Sequence, residues 1–430
     1  MSLLENIKQD FSRYLQQAET GSDFVHIREN AFKEFEKLGF PTTKNEEWKY
    51  TNFKKVFDLP LQSSCAEVAN AEELLNASIL INIKANRLVF INGCFHSELS
   101  LIIEKDETIL ICNLAKARKE YPSEFNAHFG KYVPVNNESL NALNTALLSD
   151  GAFVFVPKGK QAEHPIIIFN ISDSSQLAVL AQPRNLIVVE KNASVHIVES
   201  FYSAGISSSF CNAVTEVYVD ENSHLEHYKV QRQTGESYLN HFTQIFQEAN
   251  TNINHVTLTL DGKMVRNNLH FYMNGQNCNS LLYGLYIIEK DSFVDNHTRV
   301  DHAKPNCFSD EKYKGVLKDS STAVFNGKIM VHLDAQKTNA YQRNQNILLS
   351  NDATVNTKPQ LEIFADDVKC THGATIGQLD EEPLFYLRSR GIPEDAARKL
   401  LLVAFADDIA EKIKIPELVQ LLEDEIERKL

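Results

Sequence analysis

The sequence predicts a mainly β protein with α-helical ends, its core a parallel β-solenoid. Three observations carry this. From Ala152 to about Ile376, short β-rich runs such as FVFVP, PIIIF, NLIVVE and SVHIVESF alternate with Asn, Asp, Ser and Gly corners, and no helix-length apolar pattern interrupts them. Asn-led corners recur ahead of Ala193, Ser223, Thr251 and Asn279 at about 30-residue intervals, a period expected of stacked coils with several short strands each. At both ends the apolar period returns to that of a helix. A β-sandwich is the alternative all-β reading, but it normally uses roughly 100 residues per domain. The expected division is residues 1–150 (helical, with a few short strands), 151–377 (solenoid) and 378–430 (helical).

Taken in order, Leu4, Ile7, Phe11, Tyr14, Leu15 and Ala18 fall at helical spacing. A second helix is expected after Ser22, with Phe24, Ile27, Ala31, Phe35 and Leu38 on one stripe and Gly39 as its stop. The segment NEEWKYT (45–51) holds the one tryptophan, read as a ring anchored at a rim. Residues 58–78 are acidic and rich in Ser and Asn, which predicts a mobile connection. Short strands are expected at 79–83, 87–91 and 108–112, and a helix from Asn136 to Gly151 with Leu140, Leu143 and Leu147 on one face. Past the β-rich stretch, Pro393 opens a helix carrying Ala396, Ala397, Leu400, Leu401, Val403, Ala404, Phe405, Ile409, Ala410 and Ile413. That apolar face is wider than a lone surface helix needs, so it packs on the solenoid or on another protein. Pro416 starts a shorter helix with Leu418, Leu422, Ile426 and Leu430 in line.

Composition excludes several function classes. A net charge of −14 over 430 residues argues against nucleic acid or an anionic membrane as the main partner. No run of about 18 apolar residues occurs, and the start, MSLLENIKQDFSRYLQQAE, lacks the basic-then-apolar order of a signal peptide. The seven cysteines are an odd number, widely spaced and without CxxC, which predicts reduced thiols in a cytoplasmic protein. There is no phosphate-cradling GxxxxGKS or GxxxxGKT, no GxG pair, no HExxH and no GxSxG. Any ATP-driven step is therefore expected in a partner, and the chain is not expected to be an enzyme by itself.

One constellation stands out. In the alternating stretch leading to Cys370-Thr371-His372-Gly373, residues two apart share a strand face. Cys370 and His372 then point one way, with Lys369 and Thr371 on the other. A thiol beside an imidazole is a soft ligand pair, yet only half of a metal site. The remaining ligands come from elsewhere, or the pair is incidental. His224 and His227, three apart, fall on opposite strand faces and are not expected to share a metal. Asp295, His297, Arg299 and Asp301 fall on one face, with His302 on the other. This is either an acid–base cluster or, the favoured reading, a charged ladder facing water. Cys307 reads as a small buried filler.

Several segments together carry a resemblance. LNALNTALLSDGAFVFVPKG, PIIIFN, DHAKPNCFSDEKYKGVL, VFNGKIMVHLDAQKTNAYQRNQNILLS and TKPQLEIFADDVKCTHGATIGQLDEEPLFYLRSRGI resemble the SufB/SufD family of iron–sulfur cluster assembly proteins, from about Leu140 to Ile409. The N-terminal NEEWKYTNF, and the lack of the CxxCxxxC motif of some SufB proteins, resemble the SufD side. The resemblance implies a right-handed parallel β-helix and a complex with SufB and with the ATPase SufC, supporting ATP-dependent cluster assembly at the SufB–SufD interface. It implies that the C-terminal helical region receives SufC, which assigns Leu400, Leu401, Ala404, Phe405 and Ile409 to that contact. It also places His372 on the family's functional histidine, facing a SufB cysteine, with Cys370 on the neighbouring cysteine. No permanently bound cofactor is implied, only transient iron or a cluster at the partner interface, with His372 as a shared ligand. A homodimer of the isolated chain stays open. Two other readings remain: a SufB-like subunit carrying its own cluster, and a β-helix enzyme acting on polysaccharide through paired carboxylates.

Overall fold

The computed structural model describes residues 2–17, 23–66, 68 and 70–429. Ala18, Ser22 and Leu430, part of the expected helical patterns, lie outside them. The N-terminal region holds helices α1 (Leu3–Gln17), α2 (Asp23–Leu38), α3 (Lys54–Phe57), α4 (Ala71–Asn76), α5 (Leu114–Glu120), α6 (Pro122–His128) and α7 (Ser139–Leu147). It also holds strands β1 (Asn86–Ile91), β2 (Cys94–Phe95) and β3 (Leu110–Asn113). The strand series continues with β4 (Ala152–Val156), β5 (Ile166–Ser174), β6 (Val179–Ala181), β7 (Arg184–Val189), β8 (Ser194–Gly205), β9 (Ser209–Val219), β10 (His224–Arg232) and β11 (Ser237–Gln247). It is completed by β12 (Asn252–Asp261), β13 (Met264–Met273), β14 (Asn279–Ile288), β15 (Phe293–His302), β16 (Phe308–Leu317), β17 (Thr322–Val331), β18 (Thr338–Leu348), β19 (Thr354–Ile363) and β20 (Val368–Gly377). Helices α8 (Glu381–Ser389), α9 (Glu394–Ala410) and α10 (Pro416–Lys429) end the chain.

From β8 onward, successive strands alternate between two sheets. One runs β2-β1-β5-β8-β10-β12-β14-β16-β18-β20, and the other β19-β17-β15-β13-β11-β9-β7-β4-β3 with β6 beside β9. The stacked pairings are parallel, which makes a β-solenoid of about eight turns. The Asn corners hold it in step. Asn192, Asn222, Asn250, Asn277 and Asn306 all take left-handed backbone (φ 57°, 59°, 60°, 58° and 61°), which Asn adopts at lower cost than most side chains. Lys337 takes the same role in the next coil at φ 60°.

The interior is not uniformly apolar. One strip includes Ile197, Leu225, Ile253, Leu282, Val217, Ile245 and Phe271. A second includes Phe201, Leu239, Val265, Val294 and Phe325. Polar side chains lie buried with them: Glu199 accepts from His227 (2.7 Å) and from the Thr215 hydroxyl (2.7 Å), and His227 meets His255 at 3.1 Å. Burial, in part offset by Glu199, lowers Lys229 to about 8. Outside, α9 and α10 cover the first sheet through Leu402, Ala406, Ile409, Leu418, Leu422 and Ile426 against Tyr228, Val256, Leu258 and Leu285. Helices α1, α2 and α7 pack against Leu180, Phe210 and Tyr238 of the second sheet.

Three expectations are corrected. Residues 79–83 form turns after α4 rather than a strand; Leu80 and Ile83 are buried in an apolar cluster and pair with no strand among the described residues. The expected mobile connection includes the ordered helix α4, whose Leu74 and Leu75 are buried. The cysteines are not all free: Cys65 and Cys94 form a disulfide with a Cα–Cα distance of 5.6 Å, and Cys112, Cys211, Cys278, Cys307 and Cys370 stay reduced. The tight β1–β2 turn at Asn92 and Gly93 (φ 54° and 82°) returns Cys94 toward the segment that Gln62 ties to Val179, a proximity no sequence spacing announces. Among the described residues, no helix is long and apolar enough to cross a membrane.

Candidate functional site

The solenoid has one open end. Among the described residues, strand β20 pairs only with β18, and β19 only with β17, so both final strands offer an unpaired edge. At the opposite end, parallel stacking stops at the antiparallel strands β2 and β3. A repeat stack normally needs a polar cap on its last unit. Here the last coil instead leaves Ile363, Phe364 and Ile376 41%, 59% and 45% exposed.

Cys370 and His372 lie in β20 on that open coil. Cys370 is in register with the fully buried Ala340 and packs against the interior apolar strip. His372 is in register with Gln342, likewise fully buried. Both side chains therefore belong to inward-facing columns, with Cys370 half-buried and His372 exposed. Burial pushes the Cys370 thiol above its ordinary range, so it stays protonated at neutral pH.

Beneath His372 the inward column runs through Gln342 to Glu311, His372 and Gln342 being paired in one register and Gln342 and Glu311 in the next. Gln342 Nε2 donates to Glu311 Oε2 at 2.8 Å. Gly327 makes room for this pair: a Cβ there would lie 2.4 Å from Gln342 Nε2. Burial raises the Glu311 carboxyl to about 7. Gln342 Oε1, Glu311 Oε1 and Thr357 Oγ1 are buried without a hydrogen-bond partner among the described residues. Reading the sequence did not find Gln342 or Glu311. Their signal is the coil period, which places them about one and two coils before His372.

Among the described residues no three His, Cys, Asp or Glu side chains are grouped to hold a metal ion. The end coil carries an exposed imidazole and a half-buried thiol. The other weighed residues lie elsewhere. His224 is half-exposed and bonds Glu226 (2.9 Å), while His227 is buried on the opposite face. The Asp295–His297 pair is roofed by the N-terminal region: His297 meets Glu47 at 3.3 Å, Thr51 donates to Asp295, and the Arg266 guanidinium stacks 4.0 Å from the Trp48 ring centroid while also contacting Asp295. The hydrogen bond from His297 holds Glu47 at about 2. These residues clamp NEEWKYT to the solenoid rather than form a ladder to water.

The five residues assigned to a C-terminal contact separate. Leu400 is 51% exposed and Ala404 is exposed, while Leu401 and Phe405 are half-buried. Lys314 lies over the Phe405 ring at 4.5 Å. Ile409 is fully buried against the first sheet, so it holds α9 in place and is not open to a partner. Helix α8 adds two exposed rings that the sequence pattern did not single out, Phe385 and Tyr386. Asp408 accepts from Lys312 (2.9 Å) and pairs with Lys314 (2.8 Å), both on β16.

Comparison with known proteins is consistent along most of the chain. Residues 169–405 match the family model for the SUF system FeS cluster assembly SufBD core domain, and residues 8–168 match that for the SufBD protein N-terminal region. An iron–sulfur cluster assembly SufBD family protein of Synechocystis is 33% identical over 411 residues, 92% of this chain and 89% of the relative. The iron–sulfur cluster assembly protein SufD of Escherichia coli is 30% identical over 383 residues, 88% of this chain and 86% of the relative. SufD of Bacillus subtilis is 28% identical over 420 residues, 94% and 93% respectively.

Proposed function

Because this chain belongs to the SufBD family of iron–sulfur cluster assembly proteins, we propose that it is a non-catalytic scaffold subunit of a SufBCD complex, with the cluster assembled where its open coil meets SufB. The observation that carries this reading is the uncapped last coil, which presents His372 and Cys370 at an apolar edge. An isologous or homologous solenoid end would cover that edge and bring further ligands to it. The nascent iron is substrate here. The His372 imidazole and a thiolate from SufB would share it at about 2.0–2.3 Å. Cys370 is the weaker donor, because its thiol must first lose a proton that burial helps it keep.

SufC would dock on the α8–α9 surface at Leu400, Leu401, Ala404 and the accessible part of Phe405, and ATP would be hydrolysed there. The route to the assembly site is short. Asp408 of α9 holds Lys312 on the outer side of β16, and Glu311, the next residue, points inward to Gln342 beneath His372. A shift of α9 would so displace the floor of the site. Coupling is reciprocal, so SufB and this subunit should in turn change the nucleotide affinity of SufC.

The test is His372→Ala. The variant should co-purify with SufB and SufC in the normal ratio, while cluster formation on the complex falls at least tenfold. Normal assembly with this variant overturns the role of the open coil.

A further inference from the structure

Two buried thiols unrelated to the open coil lie against each other in the middle of the solenoid. Cys278 follows Asn277 and Cys307 follows Asn306, so both occupy the position just after a left-handed corner. They belong to a column whose neighbouring members are Ser223, Thr251 and Thr338. The hydroxyls of Thr251 and Thr338 donate to the carbonyl three residues back (2.9 and 2.8 Å), and Cys278 Sγ does the same to Gly275 (3.2 Å). Ser223 Oγ and Cys278 Sγ also reach back one coil, to the Glu190 (2.6 Å) and Glu248 (3.2 Å) carbonyls, and Cys307 does likewise. Its thiol leans back one coil onto that same Gly275 carbonyl at 3.4 Å. Both sulfurs thus sit on one oxygen, and each thiol shifts the other: the proximity of Cys307 lowers the Cys278 pKa, and that of Cys278 raises the Cys307 pKa.

The backbone permits more than contact. The Phe308 N–H donates to the Cys278 carbonyl at 2.8 Å, and Asn279 and Phe308 are register partners, so the two cysteines are stacked on adjacent coils. Stacked positions lie about 4.8 Å apart, inside the roughly 4.4–6.8 Å Cα range of disulfides. No other free cysteine among the described residues has such a neighbour; Cys370, for instance, faces Ala340.

We propose that Cys278 and Cys307 are an oxidative modification site, closing into a disulfide that staples two consecutive coils. With hydrogen peroxide as oxidant, the Cys278 thiolate attacks one peroxide oxygen, giving a sulfenic acid and one water. The Cys307 thiol then displaces the sulfenic oxygen as a second water, forming the S–S bond. Two thiol protons and two electrons from sulfur account for both waters. Burial makes the reaction slow, paced by local opening of the corner. The bond would fix the spacing of β14 and β16, and β16 anchors α9 through Lys312 and Lys314.

The test uses the full chain carrying C65S and C94S, reduced, exposed to hydrogen peroxide, then unfolded in alkylating agent and digested. Mass spectrometry should find the Cys278 and Cys307 peptides linked, and the thermal midpoint should rise by about 2–6 °C. The C278S variant should fold, since Ser223 fills the same corner, and should show neither change. Recovery of both cysteines alkylated, separately over-oxidised or linked to other cysteines overturns the proposal. The same peptide analysis on the unsubstituted chain distinguishes this bond from Cys65–Cys94 and serves if the double serine variant folds poorly.

Discussion

A single carboxyl beneath His372 gives the site a pH signature. Glu311 is fully buried and held at about 7, above the ordinary carboxylate range, because burial disfavours its charge. The folded state therefore keeps a proton that the unfolded chain releases above about pH 4.5, and stability falls as pH rises from there toward 7. Glu311→Gln removes that cost while its amide oxygen can still accept from Gln342. Denaturant titrations should show the variant close to the parent at pH 4.5 and more stable by on the order of 3 kcal/mol at pH 8. Equal differences at both pH values would mean that Glu311 is charged in the fold. That Cys370 and His372 share a face is legible from strand periodicity alone. The identity of their floor is not, because it depends on how many residues each corner consumes between coils. His297 shows the same limit: its face was readable, but its roof comes from Glu47 far away in the chain.

Helix α9 shows what a periodic pattern can and cannot separate. Its wide apolar face is plain in the sequence, and the structure divides that face into a buried stripe and an exposed one. One stripe, including Ala397, Leu402, Ala406 and Ile409, is buried on the solenoid, whereas Leu400 and Ala404 stay at the surface. A hydropathy pattern has no term for which stripe the solenoid takes, and so it cannot separate the buried Ile409 from the exposed Leu400. Packing and the proposed SufC contact come apart experimentally. Leu400→Asp should leave unfolding free energy within about 0.5 kcal/mol while weakening SufC capture about tenfold, or about 1.4 kcal/mol. Ile409→Asp should cost about 3 kcal/mol or more in denaturant melts, since it buries an unpaired charge. If Leu400→Asp retains full SufC binding in pull-down titrations, the partner sits elsewhere, and the exposed rings of α8 become the next surface to alter. The same distinction explains residues 79–83, which look like a strand by composition but pair with no strand among the described residues.

At the level of the whole molecule the solenoid is legible because successive coils repeat the same backbone solution, marked at five corners by Asn192, Asn222, Asn250, Asn277 and Asn306. The open end is not legible, since an unpaired strand and a paired one have the same sequence grammar. Ile376→Lys on β20 should leave the melting midpoint nearly unchanged, because the residue is already 45% exposed. It should lower association of this chain with SufB, or with itself at high concentration, as read by sedimentation. Unchanged association would remove β20 from the interface. The open coil has a further consequence for how the protein comes apart. In a stack where each coil touches only its neighbours, melting proceeds inward from the less protected terminus. Amide hydrogens of β19 and β20 should exchange first, and the corner-locked middle coils last. A subunit seated on that terminus then acts as a stopper on fraying, so the chain's thermal midpoint becomes a readout of partner concentration.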